Sequence, residues 1–83
     1  MKIVVVRDIK ANLWFNPIFS HSIGGSVRAF GDECTKPREG NPLADHPSDY
    51  ELYHLGEWDE TTGEFTLLDK PEQIAVGSNY KVS

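Results

Sequence analysis

The amino-acid sequence predicts an α+β fold: a small antiparallel sheet of three to four strands with one helix packed across it. Three observations indicate this fold. The chain opens with a β-branched run at residues 3–6, a later segment has the apolar spacing of a helix, and residues 50–68 carry a hairpin signal. With 83 residues, the chain has room for a single domain, 1–83, and for no second core.

The first two extended segments differ in character. Residues 3–6 read Ile-Val-Val-Val, which suits a strand that is buried on both faces. After a polar turn, residues 13–19 are rich in aromatic side chains but are interrupted by Pro17. Because proline has no backbone N–H to donate, we expect an edge strand or an extended loop there.

One amphipathic helix follows. Its apolar residues recur at spacings of four, three and four, which places them on one face of a helix. These residues are Ile23, Val27, Phe30 and Cys34. Ser20 or Ser22 can cap the N-terminus by accepting free N–H groups of the first turn, and Pro37 ends the helix.

Two regions of the chain have few apolar residues. Residues 36–49 are rich in proline, glycine and charged side chains, and we predict a loop that is longer than most connections in a compact domain. Residues 77–83 are predicted to be a flexible polar tail. Between the hairpin and this tail, we expect a short last strand at residues 71–76.

The hairpin is the clearest local signal. Residues 50–58 and 64–68 are predicted strands, joined by a turn at 59–63 that ends in a glycine. Within residues 50–58, apolar residues occur at both even and odd positions, so both faces of the strand are apolar, which predicts a central strand. Strict alternation would place Tyr53 and Trp58 on opposite faces, so at least one ring should be exposed at an interface or binding face.

Charge and cysteine content limit the classes of function. Eight Lys and Arg face thirteen Asp and Glu, a formal net charge of −5, so most of the surface repels phosphate. A nucleic-acid site would therefore be local and would depend on stacking.

Cys34 is the only cysteine, so an internal disulfide is impossible and a cytosolic compartment is expected. The apolar run at the N-terminus is too short to span a membrane, and no membrane association is predicted.

No catalytic or metal-binding pattern is present in the sequence. The four possible soft ligands have none of the short spacings of a zinc site. They are His21, Cys34, His46 and His54. We therefore predict a protein that is not an enzyme and that uses no metal or cofactor. The glycines at 24–25 leave two readings of the helix start open: an anion site built from backbone N–H groups, or a frayed first turn.

Several motifs together resemble a known family. They are Asn16-Pro17, then Val27-Arg28-Ala29-Phe30, and then the run at 46–63, which contains His46-Pro47 and Leu55-Gly56. The chain resembles the small nonstructural protein of gokushoviruses, the Microviridae bacteriophages with single-stranded DNA genomes. This resemblance implies a DNA-binding or replication-associated protein of the infected bacterium's cytoplasm that is absent from the virion. It supplies no catalytic residues.

Two hypotheses for the function follow. The first is weak, sequence-independent binding of single-stranded DNA in phage replication and packaging, by stacking on exposed rings and by neutralising phosphates. The predicted binding residues are Arg7, Lys10, Trp14, Arg28 and Tyr53. The alternative is a protein–protein module that contacts a phage replication or capsid-assembly factor without touching DNA. A homodimer is expected in either case, by edge pairing through the N-terminal strand or the hairpin.

Overall fold

The computed structural model describes residues 1–80 and confirms the α+β class. The sheet is antiparallel and has five strands rather than three to four. The strands are β1 (Lys2–Asp8), β2 (Leu13–Trp14), β3 (Ile18–Ser20), β4 (Tyr50–Trp58) and β5 (Phe65–Val76). The helices are α1 (Ile23–Thr35) and the short α2 (Pro42–Asp45). Within the described residues, no helix is long and apolar enough to cross a membrane.

The β-branched strand β1 lies inside the sheet. It pairs with β4 on one side and with both β2 and β3 on the other, and β5 forms the far edge. Ile3, Val4 and Val5 are buried, as the sequence predicts for a strand covered on both faces. Pro17 lies between β2 and β3, where the edge strand is interrupted and no ladder hydrogen bond is lost.

Helix α1 covers one face of the sheet. Ser22 is its N-cap, and the backbone N–H of Gly25 donates to Ser22 Oγ at 3.0 Å. The predicted apolar stripe of α1 faces the sheet and packs there against Val4 and Leu52. The core residues buried between the two layers are Val4, Phe30, Cys34, Tyr50 and Leu52.

The predicted loop 36–49 is partly helical. It contains α2 and a 3-10 turn at Pro47–Asp49. Asn41 anchors this segment, since its side-chain amide is buried and donates to the carbonyls of Glu33 at 3.0 Å and Lys36 at 2.9 Å. Both carbonyls lie at the C-terminal end of α1, and that of Glu33 also accepts from the backbone N–H of Lys36 at 3.4 Å.

The C-terminal part of the chain differs from the prediction in two ways. The strands expected at 64–68 and 71–76 are one continuous strand, β5, which tolerates Pro71 because it is an edge strand. Within the segment predicted as a tail, Gly77–Tyr80 form a 3-10 turn with the Tyr80 ring centroid 6.1 Å from that of Phe30. Residues 81–83 lie outside the described part of the chain.

A β-bulge in β4 changes which side chains share a face. Val4 pairs with His54 and Ile3 pairs with Gly56, so Leu55 is an extra residue without a partner on β1. The extra residue reverses the alternation beyond it. Tyr53 and Trp58 therefore lie on the same face of the sheet, and the prediction that they lie on opposite faces is wrong.

Candidate functional site

The face of the sheet opposite α1 is covered by aromatic side chains instead of a helix. Ile3 and Val5 point to this face, and they are only 5% and 1% exposed. Within residues 1–80, the side chains that flank them in the register come from β2, β3 and β4. We call this surface the aromatic face; its rings are Trp14, Phe19, Tyr53 and Trp58, and Phe65 of β5 lies on the same face, directly opposite Trp58.

The rings form two contacting pairs. The centroids of Trp14 and Tyr53 are 4.9 Å apart in an edge-to-face arrangement, and those of Phe19 and Trp58 are 5.3 Å apart. Such contacts hold the rings in fixed orientations. Trp14 is 45% exposed and Phe19 is 51% exposed, so one member of each pair offers its surface to solvent. Flat, fixed and solvent-exposed rings suit stacking on planar ligands.

Arg7 supplies the positive charge next to the first pair. Its Cζ atom lies 5.4 Å from the centroid of the Trp14 ring, a cation–π geometry. Its Nη2 atom donates to Asn12 Oδ1 at 2.8 Å. Its Nε atom is buried and has no hydrogen-bond partner among the described residues. No carboxylate of residues 1–80 comes within 4.0 Å of the guanidinium, although Glu51 is directly opposite Arg7 in the β1–β4 register.

Glu51 orients Tyr53 on this face. The Tyr53 hydroxyl donates to Glu51 Oε1 at 2.8 Å, and Gln73 Nε2 donates to Glu51 Oε2 at 2.8 Å. Gln73 Nε2 also lies 3.3 Å from the Tyr53 hydroxyl oxygen, which closes a small network. This network fixes the phenol ring, but it also places a carboxylate at the border of the aromatic face, where it opposes anion binding.

The structure brings together three of the five predicted binding residues. Arg7, Trp14 and Tyr53 are contiguous on the aromatic face. Lys10 is exposed in the turn between β1 and β2, at the same end of the sheet. Arg28 is exposed on α1, on the other side of the sheet, and does not join them.

Sequence reasoning missed Phe19 and Trp58 as members of the face. Phe19 joins it because β3 pairs with β1 so that Phe19 faces Ile3, and this register is not visible in the sequence. Trp58 joins it because of the bulge, for which Gly56 was a usable signal: a glycine inside a strand often marks one. Glu51 was missed as well, because the sequence does not show that its carboxylate accepts a hydrogen bond from the Tyr53 hydroxyl.

The structure also places the metal ligands and the nucleophile that the sequence offers as candidates. Among residues 1–80, no group of three or more His, Cys, Asp or Glu is placed to hold a metal ion. His54 Nε2 lies 2.9 Å from the Gly56 carbonyl oxygen, within its own strand. Cys34 is buried in the core, and desolvation, reinforced by the charge of Glu33, raises the pKa of its thiol. A buried thiol with a raised pKa is a poor nucleophile.

These features define a small α+β sheet protein with one helix on one face and an exposed aromatic surface on the other. The chain matches the family model described as Phage ORF5 protein over residues 1–80. It therefore belongs to this family of bacteriophage proteins. Searches of curated proteins and of solved structures found no significant match.

Proposed function

We propose that this phage protein is a non-enzymatic accessory factor in the replication and packaging of a single-stranded DNA genome, and that it binds single-stranded DNA through the aromatic face. The observation that supports this proposal is the convergence of Arg7, Trp14 and Tyr53 on one solvent-exposed surface. The proposal includes a gokushovirus origin, activity in the host cytoplasm and absence from the virion.

The composition of the face determines what kind of binding to expect. Base–aromatic stacking contributes about 1–3 kcal/mol per base and does not depend strongly on sequence. Cations are few, because Arg7 and Lys10 are the basic side chains at this end of the sheet, while the chain carries a net charge of −5. We therefore expect weak binding with a shallow salt dependence. The slope of log K against log salt concentration should be about −0.7 for each phosphate that is neutralised.

Fluorescence anisotropy of labelled single-stranded DNA at two salt concentrations, with duplex DNA as competitor, tests this proposal. We expect saturable binding that weakens with salt and that the duplex displaces poorly. Trp14→Leu removes a ring from the aromatic face, whereas Phe15→Leu removes its neighbour, which contacts Tyr50 on the helix side of the sheet. The two rings are similarly exposed, at 45% and 41%, so they form a matched pair.

The expected result is a loss of affinity of about tenfold for Trp14→Leu and little change for Phe15→Leu. Absence of saturable binding at low salt, or equal effects of the two substitutions, would contradict DNA binding by this face.

A protein–protein module remains the second candidate function, and it is favoured by the amount of exposed apolar surface. Nine large apolar side chains are at least 39% exposed. They are Ile9, Leu13, Trp14, Phe15, Ile18, Phe19, Phe65, Leu67 and Leu68. Surfaces of this kind often contact other proteins. Failure to bind DNA, together with specific capture of a phage replication or capsid-assembly protein, would favour this candidate.

The proposed homodimer needs contacts between side chains, because both sheet edges resist strand pairing. The outer edge of β5 carries Lys70 and Pro71 within a wide irregularity of the ladder, and Pro17 interrupts the opposite edge. Lysine, proline and bulges are features that block edge-to-edge association. Phe65 and Leu67, which are 60% and 65% exposed, offer an apolar contact instead. Sedimentation analysis of Leu67→Lys tests this route, and a dimer that persists unchanged would contradict it.

A further inference from the structure

A second apolar surface lies on the helix side of the sheet, and Phe19 at the sheet edge borders both this surface and the aromatic face. It is a cleft of about 300 Å³ between α1 and the β1–β3 edge, and it continues towards the β2–β3 connection. We call it the helix-side groove, defined by Val6, Phe15, Ile18, Ala29 and Leu43. Its volume is at the lower end of the range of small ligand sites.

The lining of this groove suits apolar side chains. Ile18 is 56% exposed and Phe15 is 41% exposed at its open side, while Val4 and Leu52 form a buried floor. The one charged residue in the lining is Glu33, which accepts a hydrogen bond from Arg38 Nη2 at 2.6 Å.

One end of the groove is acidic. Phe15 contacts Tyr50, with the ring centroids 5.9 Å apart. Asp8 is directly opposite Tyr50 in the β1–β4 register, Asp49 precedes Tyr50 in the chain, and Asp45 is the last residue of α2. Burial raises the pKa of Tyr50, and these negative charges raise it further. None of the three carboxylates lies within 4.0 Å of a cationic group among residues 1–80.

We propose that the helix-side groove binds a basic peptide segment of a partner protein, with a large apolar side chain in the cleft and flanking Lys or Arg residues at the acidic end. The complementary charge favours this occupant. A second copy of this chain fits poorly, because the hairpin that presents its exposed Phe65 and Leu67 is itself acidic. The acidic residues of that hairpin are Glu57, Asp59, Glu60 and Glu64. This inference does not depend on DNA binding.

Titration of the ¹⁵N-labelled protein with a short synthetic peptide of leucines and lysines, followed by NMR, tests the proposal. A control peptide has glutamate in place of every lysine. We expect saturable shifts at the amides of Val6, Ile18 and Ala29 with the basic peptide and none with the acidic one. Absence of saturable shifts, equal binding of both peptides, or shifts confined to the aromatic face would overturn the proposal.

Two variants separate the contributions of shape and charge. Ala29→Trp fills the cleft from an exposed position on α1, and it should abolish peptide binding while leaving DNA binding by the aromatic face unchanged. Asp45→Asn with Asp49→Asn should weaken peptide binding about fivefold. The matched control, Glu60→Gln with Asp69→Asn, removes the same charge elsewhere, and an equal effect of the two pairs would contradict a local acidic site.

Discussion

The guanidinium group of Arg7 lies over the indole ring of Trp14, with the Cζ atom 5.4 Å from the ring centroid. Arg7 is the cation of the aromatic face, and its ring partner, Trp14, is 45% exposed. A strand pairing fixes this relationship, because Arg7 of β1 and Trp14 of β2 are directly opposite each other in the register. A ligand that stacks on Trp14 therefore lies next to the positive charge of Arg7.

The first prediction compares two arginines on opposite sides of the sheet. Arg7→Gln and Arg28→Gln lower the net charge equally, but only Arg7 lies on the aromatic face. We expect Arg7→Gln to weaken binding of single-stranded DNA about tenfold and to reduce the salt slope by about 0.7, with Arg28→Gln within about twofold of wild type. Anisotropy titrations across salt concentrations measure both quantities. Equal losses for the two variants would indicate a diffuse electrostatic effect instead.

The second prediction concerns the carboxylate that orients Tyr53. Glu51→Gln removes a negative charge beside the aromatic face but keeps an oxygen that can accept a hydrogen bond from the Tyr53 hydroxyl. We expect single-stranded DNA to bind about two- to threefold more tightly, because repulsion between the carboxylate and phosphate is lost.

Glu60→Gln in the exposed hairpin turn is the control for net charge, and it should change the affinity less. Weaker binding by Glu51→Gln would show that the ionised network matters more for positioning the ring than for charge.

The sequence predicted the elements of this fold better than it predicted their relationships. The β-branched run, the apolar stripe of α1 and the hairpin are local signals, and each element lies where its pattern predicts. The bulge at Leu55 is different, because Gly56 signals a possible bulge, but the extra residue is identified only when β4 is set against β1. Without that register, Trp58 was placed on the wrong face, and the aromatic face could not be assembled from the sequence.

The short helical turns inside the predicted loop and tail were not predicted, for a related reason. Residues 36–49 and 77–80 have few apolar side chains, so their composition indicates loops. Their order depends instead on single buried contacts, the hydrogen bonds from Asn41 and the packing of Tyr80 on α1. The Tyr80 contact joins elements that are far apart in the chain, and the Asn41 bonds depend on how the backbone turns after α1. Composition indicates neither.

The third prediction compares two glycines with opposite surroundings. A Cβ atom at Gly77 would overlap the backbone carbonyl of Pro47, whereas a Cβ atom at Gly24 would meet nothing within 4 Å. We expect Gly77→Ala to lower the free energy of unfolding by about 2–3 kcal/mol, because backbone must move. Gly24→Ala should raise it by about 1 kcal/mol, because alanine is the better helix former. Urea denaturation measures both, and a neutral Gly77→Ala would contradict the close packing of the two 3-10 turns.

The fourth prediction is a loss of stability at alkaline pH. Burial raises the pKa of the Cys34 thiol above its usual 9.0 and that of the Tyr50 hydroxyl above its usual 10.0. Because the folded state holds both protons more tightly than the unfolded state, its stability should be complete below about pH 9 and decline as the pH rises beyond it. The free energy of unfolding measured by urea at a series of pH values tests this sign.

Cys34→Ala separates the two groups, since it removes the first titration and leaves the second. The variant should be less stable at neutral pH, because a buried side chain becomes smaller, but its decline should begin closer to pH 10, the usual pKa of tyrosine. Cys34 should also resist thiol reagents in the folded protein, so that labelling follows the opening of the core. Rapid labelling under native conditions, or identical pH profiles for both proteins, would mean that this thiol is accessible to solvent and that α1 does not seal the helix side of the sheet.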